Sequence, residues 1–168
     1  MTTLFAQPYD ISATGFYFES QVEFRNKAAQ VFNDYGDPVE EFEIQFIDGE
    51  DIDCSLATAI ELSQGYFYKF FELCDELDEF DKITFVIVLQ ECGFDFNPEI
   101  TDPSTYEIDI YEMDTLRDLA EFFVDEGLMG DIPDNLGRYF DYDALARDLS
   151  YQYSTIRIAG KNYVYACG

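Results

Sequence analysis

The stretch FYKFFELCDELDEFDKITFVIVLQECG, Phe67–Gly93, decides whether the middle of this chain is helix or sheet. In its first half Phe67, Phe70, Phe71, Cys74 and Leu77 fall on one apolar stripe when residues are turned about 100° apart. Glu72, Asp75, Glu76 and Glu79 fall within an arc facing away from that stripe. The second half reads two ways. The β-branched residues of Ile83–Leu89 favour a strand, while the length of the run and Gly93 as a closing cap favour a helix. Helix is the reading adopted, which makes the middle of the chain helical. Six of the thirteen residues from Phe71 to Ile83 are carboxylates, although like charges one turn apart destabilise a helix. Over Glu72–Glu79 a continuous helix rises roughly 10.5 Å at ~1.5 Å per residue, so four aligned carboxylates would sit roughly 3.5 Å apart, close to the ~3.4 Å charge spacing along one DNA strand.

Towards the N-terminus, LFAQ and GFYFE read as short strands. Ser20 caps a helix in QVEFRNKAAQVFNDY, and EEFEIQFI alternates with Phe42, Ile44 and Phe46 on one face. Asp53 or Ser55 starts a helix through LATAIELS. Towards the C-terminus, NPEITDPST (Asn97–Thr105) is the best linker. YEIDIYE alternates as a strand, Asp114 or Thr115 caps LRDLAEFFVDEG, and Gly127 closes it. DALARDLSY is a further short helix, and STIRIAGKNYVYA is a hairpin turning at Ala159–Gly160. The fold class expected is α+β, in an elongated chain of small modules. These are an N-terminal three-stranded antiparallel sheet plus helix (1–52), a helical middle (53–103), and a C-terminal small sheet plus helices (104–168).

The bulk numbers narrow the function. With 168 residues and 18% aromatic content the chain is a folded protein, since acidic disordered chains are poor in aromatics. It carries 36 Asp+Glu against 9 Lys+Arg, formally -27 at pH 7. Such a charge strains a compact state by self-repulsion. It excludes ordinary nucleic-acid binding and attachment to anionic lipid, both of which need basic segments. The expected partners are cationic. Cys54, Cys74, Cys92 and Cys167 form no CxxC pair and are expected to be reduced, mostly buried thiols. MTTLFAQPYDISATG lacks the basic start and apolar run of a signal peptide, and no apolar stretch approaches the ~20 residues of a membrane span. The expected location is cytoplasmic.

Chemistry is poorly served. Histidine is absent, which removes the commonest general base and metal ligand. GLMGDIP has no lysine and follows a helix, unlike a phosphate loop. DGEDID lacks the glycine of a calcium loop, and DFNPEI carries a proline where a ligand loop would be flexible. No pair of carboxylates stands out for glycoside hydrolysis, and there is no tryptophan to stack on a sugar. The expectation is no enzyme, no cofactor and no metal. The total charge matches roughly 46 Å of duplex at ~1.7 Å per charge, about 13 or 14 base pairs. A surface that imitates DNA would be attracted to a basic groove with strong salt dependence.

The segment TLRDLAEFFVDEGLMGDIPDNLGRYFDYDALARDLSYQY (Thr115–Tyr153) resembles the ArdA family of antirestriction proteins. The likeness lies in EFFVDEG, then GDIPDNLGRYFDYDALARDL, then a closing KNYVY, and covers about residues 105–168. The N-terminal region departs from the family pattern: QPYDISATGFYF stands where a tryptophan is usual.

The resemblance implies a product of mobile elements or phages that looks like bent B-form DNA. It implies pairing into a homodimer through the C-terminal part and occupation of the DNA-binding groove of type I restriction–modification enzymes, without catalysis or cofactor. The spacing along Glu72–Glu79 makes Glu72, Asp75, Glu76 and Glu79 candidate phosphate mimics, and within the matched segment Asp109, Asp118, Glu121, Asp125 and Glu126 are read in the same way. The resemblance implies dimer or packing residues at Leu128, Ile132, Leu136, Tyr139, Phe140 and Leu145. Arg138 and Arg147 sit among acids and are expected as ion-pair partners. The alternatives are a mimic aimed at another basic protein, such as a CRISPR effector or nucleoid protein, and a salt-adapted acidic protein with no mimic role.

Overall fold

The computed structural model describes residues 2–168. The chain forms two compact units, Met1–Pro103 and Ser104–Gly168. The fold is α+β, with one small antiparallel sheet in each unit.

The first unit opens with β1 (Thr3–Pro8), whose residues alternate between half-buried and buried, the period-2 signature of a sheet over a core. It pairs antiparallel with β2 (Phe16–Phe18) on one side and β3 (Phe42–Asp48) on the other, in the order β2-β1-β3. Helix α1 (Gln21–Ala28) starts at Ser20, whose hydroxyl accepts from the Glu23 N–H. The helix pattern of the sequence runs on to Tyr35, but the chain leaves it at Ala28. The Asn33 side chain accepts from the N–H groups of Tyr35 and Asp37 at 3.0 and 2.9 Å and builds a local turn instead, the competition that asparagine offers a helix.

Helices α2 (Asp51–Ala59), α3 (Phe67–Glu76) and α4 (Glu79–Gln90) follow. The ambiguous run is a helix. Lys82 through Val88 are all buried, so this stretch of α4 is enclosed on every side, mostly by apolar contacts, within its unit. The core joins sheet and helices through aromatic rings: Phe24 lies 4.6 Å from Phe67 and 5.0 Å from Phe18, centroid to centroid. Two expectations change here. Asp53 does not start α2; it is buried inside it, and Glu50 is the cap residue. The inward stripe of α3 is deepest at Phe67, Phe70 and Leu73, while Phe71, Cys74 and Leu77 are half-buried.

The second unit holds β4 (Ile108–Tyr111), α5 (Leu116–Asp125), the single turn α6 (Asp134–Gly137), α7 (Tyr142–Leu149), β5 (Ser154–Ile158) and β6 (Lys161–Cys167). The strand order is β4-β6-β5, all antiparallel. Ala159 and Gly160 form the two-residue hairpin turn at φ 48° and 83°, as a type I′ turn requires. Leu119, Ala120, Phe123, Leu149, Tyr153, Val164 and Ala166 make the core between α5, α7 and the sheet. The expectation of reduced cysteines holds at Cys54 and Cys74, the first exposed and the second half-buried. It fails at Cys92 and Cys167, which are not free thiols.

Candidate protein-interaction surface

Eight of the nine carboxylates singled out above are exposed, and Glu121 is half-exposed. They are not equivalent, because some are already engaged within the fold. Glu72 Oε2 accepts from Lys69 Nζ at 2.8 Å. Asp118 completes a capping box at the start of α5. Its Oδ2 accepts from the Thr115 N–H at 2.8 Å while the Thr115 hydroxyl accepts from the Asp118 N–H. Glu121 accepts from Arg117 at 3.0 Å. Asp109 accepts from the Tyr153 hydroxyl at 3.4 Å. Burial and the neighbouring Asp109 charge hold the Tyr153 phenol above its ordinary range. Asp75, Glu76, Asp125 and Glu126 have no hydrogen-bond or ion-pair partner among the described residues.

These four free acids share a local setting. Asp75 and Glu76 end α3, and Asp125 with Glu126 ends α5; neither helix has a basic residue in its last turn. The C-terminus of a helix carries the negative end of its dipole, which favours cations there. Each helix therefore finishes in a concentration of negative potential that its own sequence leaves uncompensated.

The continuous row of carboxylates expected from Glu72 to Glu79 is not one helix. Leu77 adopts an extended conformation (ψ 140°) and ends α3. Asp78 then caps α4, accepting from the Asp81 N–H at 2.9 Å. The uniform rise of roughly 1.5 Å per residue does not carry across that break, so the spacing argument for a phosphate row loses its basis. A capping aspartate three residues ahead of another acid was the signal for the break.

The C-terminal apolar residues divide as well. Leu128, Leu136 and Tyr139 are exposed at 62%, 51% and 72%. Ile132 and Phe140 are half-buried, and Leu145 packs against the core of its own unit. Arg138 and Arg147 make no ion pair among the described residues. Arg138 instead lies over the Tyr139 ring at 4.9 Å, a cation–π contact. Arg147 sits in the last turn of α7, where a cation suits the dipole. The residue that does pair is Arg117, which joins Glu121 on α5 to Asp143 on α7 at 3.0 and 2.6 Å. Its guanidinium is held further towards the charged form by the bonds to Asp143 and Glu121. Spacing along the chain gave no sign of the Arg117–Asp143 contact, which the α5–α7 packing creates.

Below the surface of the first unit lies a polar centre. Lys82 on α4 donates to Asp53 on α2 at 2.8 Å, with both side chains almost wholly buried. The Thr2 hydroxyl donates to the other Asp53 oxygen at 3.3 Å. Burial, then the Asp53 charge, pushes the nearby Cys74 thiol well up.

The family model for antirestriction protein (ArdA) matches residues 30–164, across both units. The chain belongs to the ArdA antirestriction family. A comparison with curated proteins gives no match. The match begins far ahead of the segment whose motifs carry the resemblance, so the first unit from residue 30 onward belongs to the ArdA pattern along with the second. ArdA membership makes the chain an antirestriction protein, with restriction–modification enzymes as the general class of partner. Among the described residues no helix is long and apolar enough to cross a membrane.

Proposed function

We propose that this ArdA protein is a DNA mimic that occupies the DNA-binding groove of type I restriction–modification enzymes. The observation that carries this reading is the set of exposed carboxylates left without an intramolecular partner, which includes Asp75 and Glu76 at the end of α3 and Asp125 and Glu126 at the end of α5. They stand where a basic groove would supply the missing cations. Inhibition then proceeds by competition: lysine and arginine side chains that hold DNA phosphates meet carboxylates instead, and DNA is displaced. The protein performs no chemistry and needs no cofactor for this. It acts in the cytoplasm, where those enzymes work, as a homodimer whose contact includes exposed Leu128, Leu136 and Tyr139.

The test is displacement of labelled DNA from a purified type I restriction–modification complex over a salt series. The expected outcome is displacement at near-stoichiometric protein that weakens as salt rises, because screening acts on exposed charge. Absence of displacement by folded protein at low salt would remove this target.

A further inference from the structure

Helix α2 ends in a Schellman motif, in which two N–H groups fold back on the last turn. Glu61 N–H donates to the Thr58 carbonyl at 3.2 Å and Leu62 N–H to the Ala57 carbonyl at 2.9 Å. The residue at the left-handed position of such a motif is usually glycine, which carries no Cβ to clash. At the end of α5 the same position is Gly127, at φ 70°. At the end of α2 it is Glu61, at φ 53°. The chain keeps a carboxylate at a position where its own backbone would be relaxed by glycine, and an observed strain of this kind points towards a use for the side chain.

Glu61 lines a cleft of about 260 Å³ with Tyr66, Leu89, Phe94, Asp95 and Phe96. The volume is below the roughly 300 Å³ at which small-molecule pockets begin, and it suits a single side chain. Tyr66 and Phe96 meet edge to face, 5.3 Å apart at 85°. Phe94 is about half exposed. Both carboxylates are exposed and neither has an intramolecular hydrogen-bond or ion-pair partner among the described residues. Aromatic faces beside uncompensated carboxylates are the chemistry that binds a cation. A planar guanidinium fits this set better than an ammonium, because it stacks on a ring while its forked N–H groups reach two carboxylates. Leu89 offers an apolar surface to its aliphatic stem.

We infer that this cleft takes an arginine side chain of the partner protein, with Glu61 and Asp95 as its anions and Tyr66, Phe94 and Phe96 as its walls. The inference rests on the DNA-mimic reading for the identity of the partner. It adds a discrete anchor to a surface that otherwise acts through distributed charge.

The experiment is an NMR titration of the full chain with N-acetyl-arginine amide, with N-acetyl-citrulline amide as the uncharged isostere and N-acetyl-lysine amide as the alternative cation. The expected result is saturable shifts of the Tyr66, Phe94 and Phe96 ring signals with the arginine probe, weaker ones with lysine and none with citrulline. Glu61→Gly and Asp95→Asn each weaken the arginine probe about two- to fivefold, the loss of one exposed ion pair. Glu61→Gly at the same time raises Tm by about 2–4 °C through relief of the left-handed strain. Equal shifts with citrulline, tighter binding of lysine, unchanged binding in both variants, or a lowered Tm in Glu61→Gly would overturn the proposal. DNA displacement by the wild-type protein separates the two readings. Displacement without ring shifts removes the arginine cleft and leaves the mimic standing. Ring shifts without displacement keep the cleft and remove the restriction target.

Discussion

Lys82 places a buried ammonium in the first turn of α4, and Asp53 is its answer. Two charges 2.8 Å apart and out of water are held by each other and by Thr2. Removing one partner leaves the other buried and uncompensated, which costs far more than the pair contributes. Lys82→Met alone is therefore expected to destabilise the first unit by about 3–5 kcal/mol, read from the urea midpoint. The double variant Lys82→Met, Asp53→Leu is expected to recover much of that loss. Equal loss in both would show that the polar centre itself, and not the orphaned charge, sets the stability. In the sequence this pair is illegible. Lys82 stands at the head of an apolar run and Asp53 looks like a helix cap, and only the packing of α2 on α4 joins them.

At the scale of elements, the carboxylates sort by what the helices demand of them. Asp118 belongs to the α5 capping box, so Asp118→Ala is expected to lower stability by about 0.5–2 kcal/mol. Inhibition at a temperature where the variant stays folded should change little. A loss of inhibition without a loss of stability would return Asp118 to the contact surface. Strong local signals are legible in the amino-acid order alone: Ser20 and Thr115 as caps, the alternation of Phe42–Phe46, Gly127 closing α5, and the Ala159–Gly160 turn. Helix lengths are not. Asn33 cuts α1 short and Asp78 splits the acidic stretch, because side chains that hydrogen-bond the local backbone outcompete a continuing helical pattern. The acids are legible as a surface, but their division into engaged and free is not. That division depends on Lys69, Arg117, Thr115 and Tyr153 arriving beside them.

At the scale of the whole molecule, charge and motif lie in different places. The first unit holds 23 acidic and 4 basic residues, a formal -19, and the second holds 13 and 5, a formal -8. The residues that carry the family resemblance are in the second unit, while most of the net negative charge is in the first. Homodimerisation would double that charge. Sedimentation is expected to give twice the 19.5 kDa chain mass, and Leu136→Asp with Tyr139→Asp is expected to give monomers. A dimer that survives both substitutions would place the contact elsewhere. The central claim is that free carboxylates at helix ends compete with DNA. Its most direct test is DNA displacement from the type I enzyme by the combined variant Asp75→Asn, Glu76→Gln, Asp125→Asn, Glu126→Gln beside the four single variants. With each charge worth about 0.2–1 kcal/mol, single variants should lose about fivefold or less and the combined variant from about fourfold to several hundredfold. Full displacement by the combined variant, or its loss through any one substitution, would contradict the account.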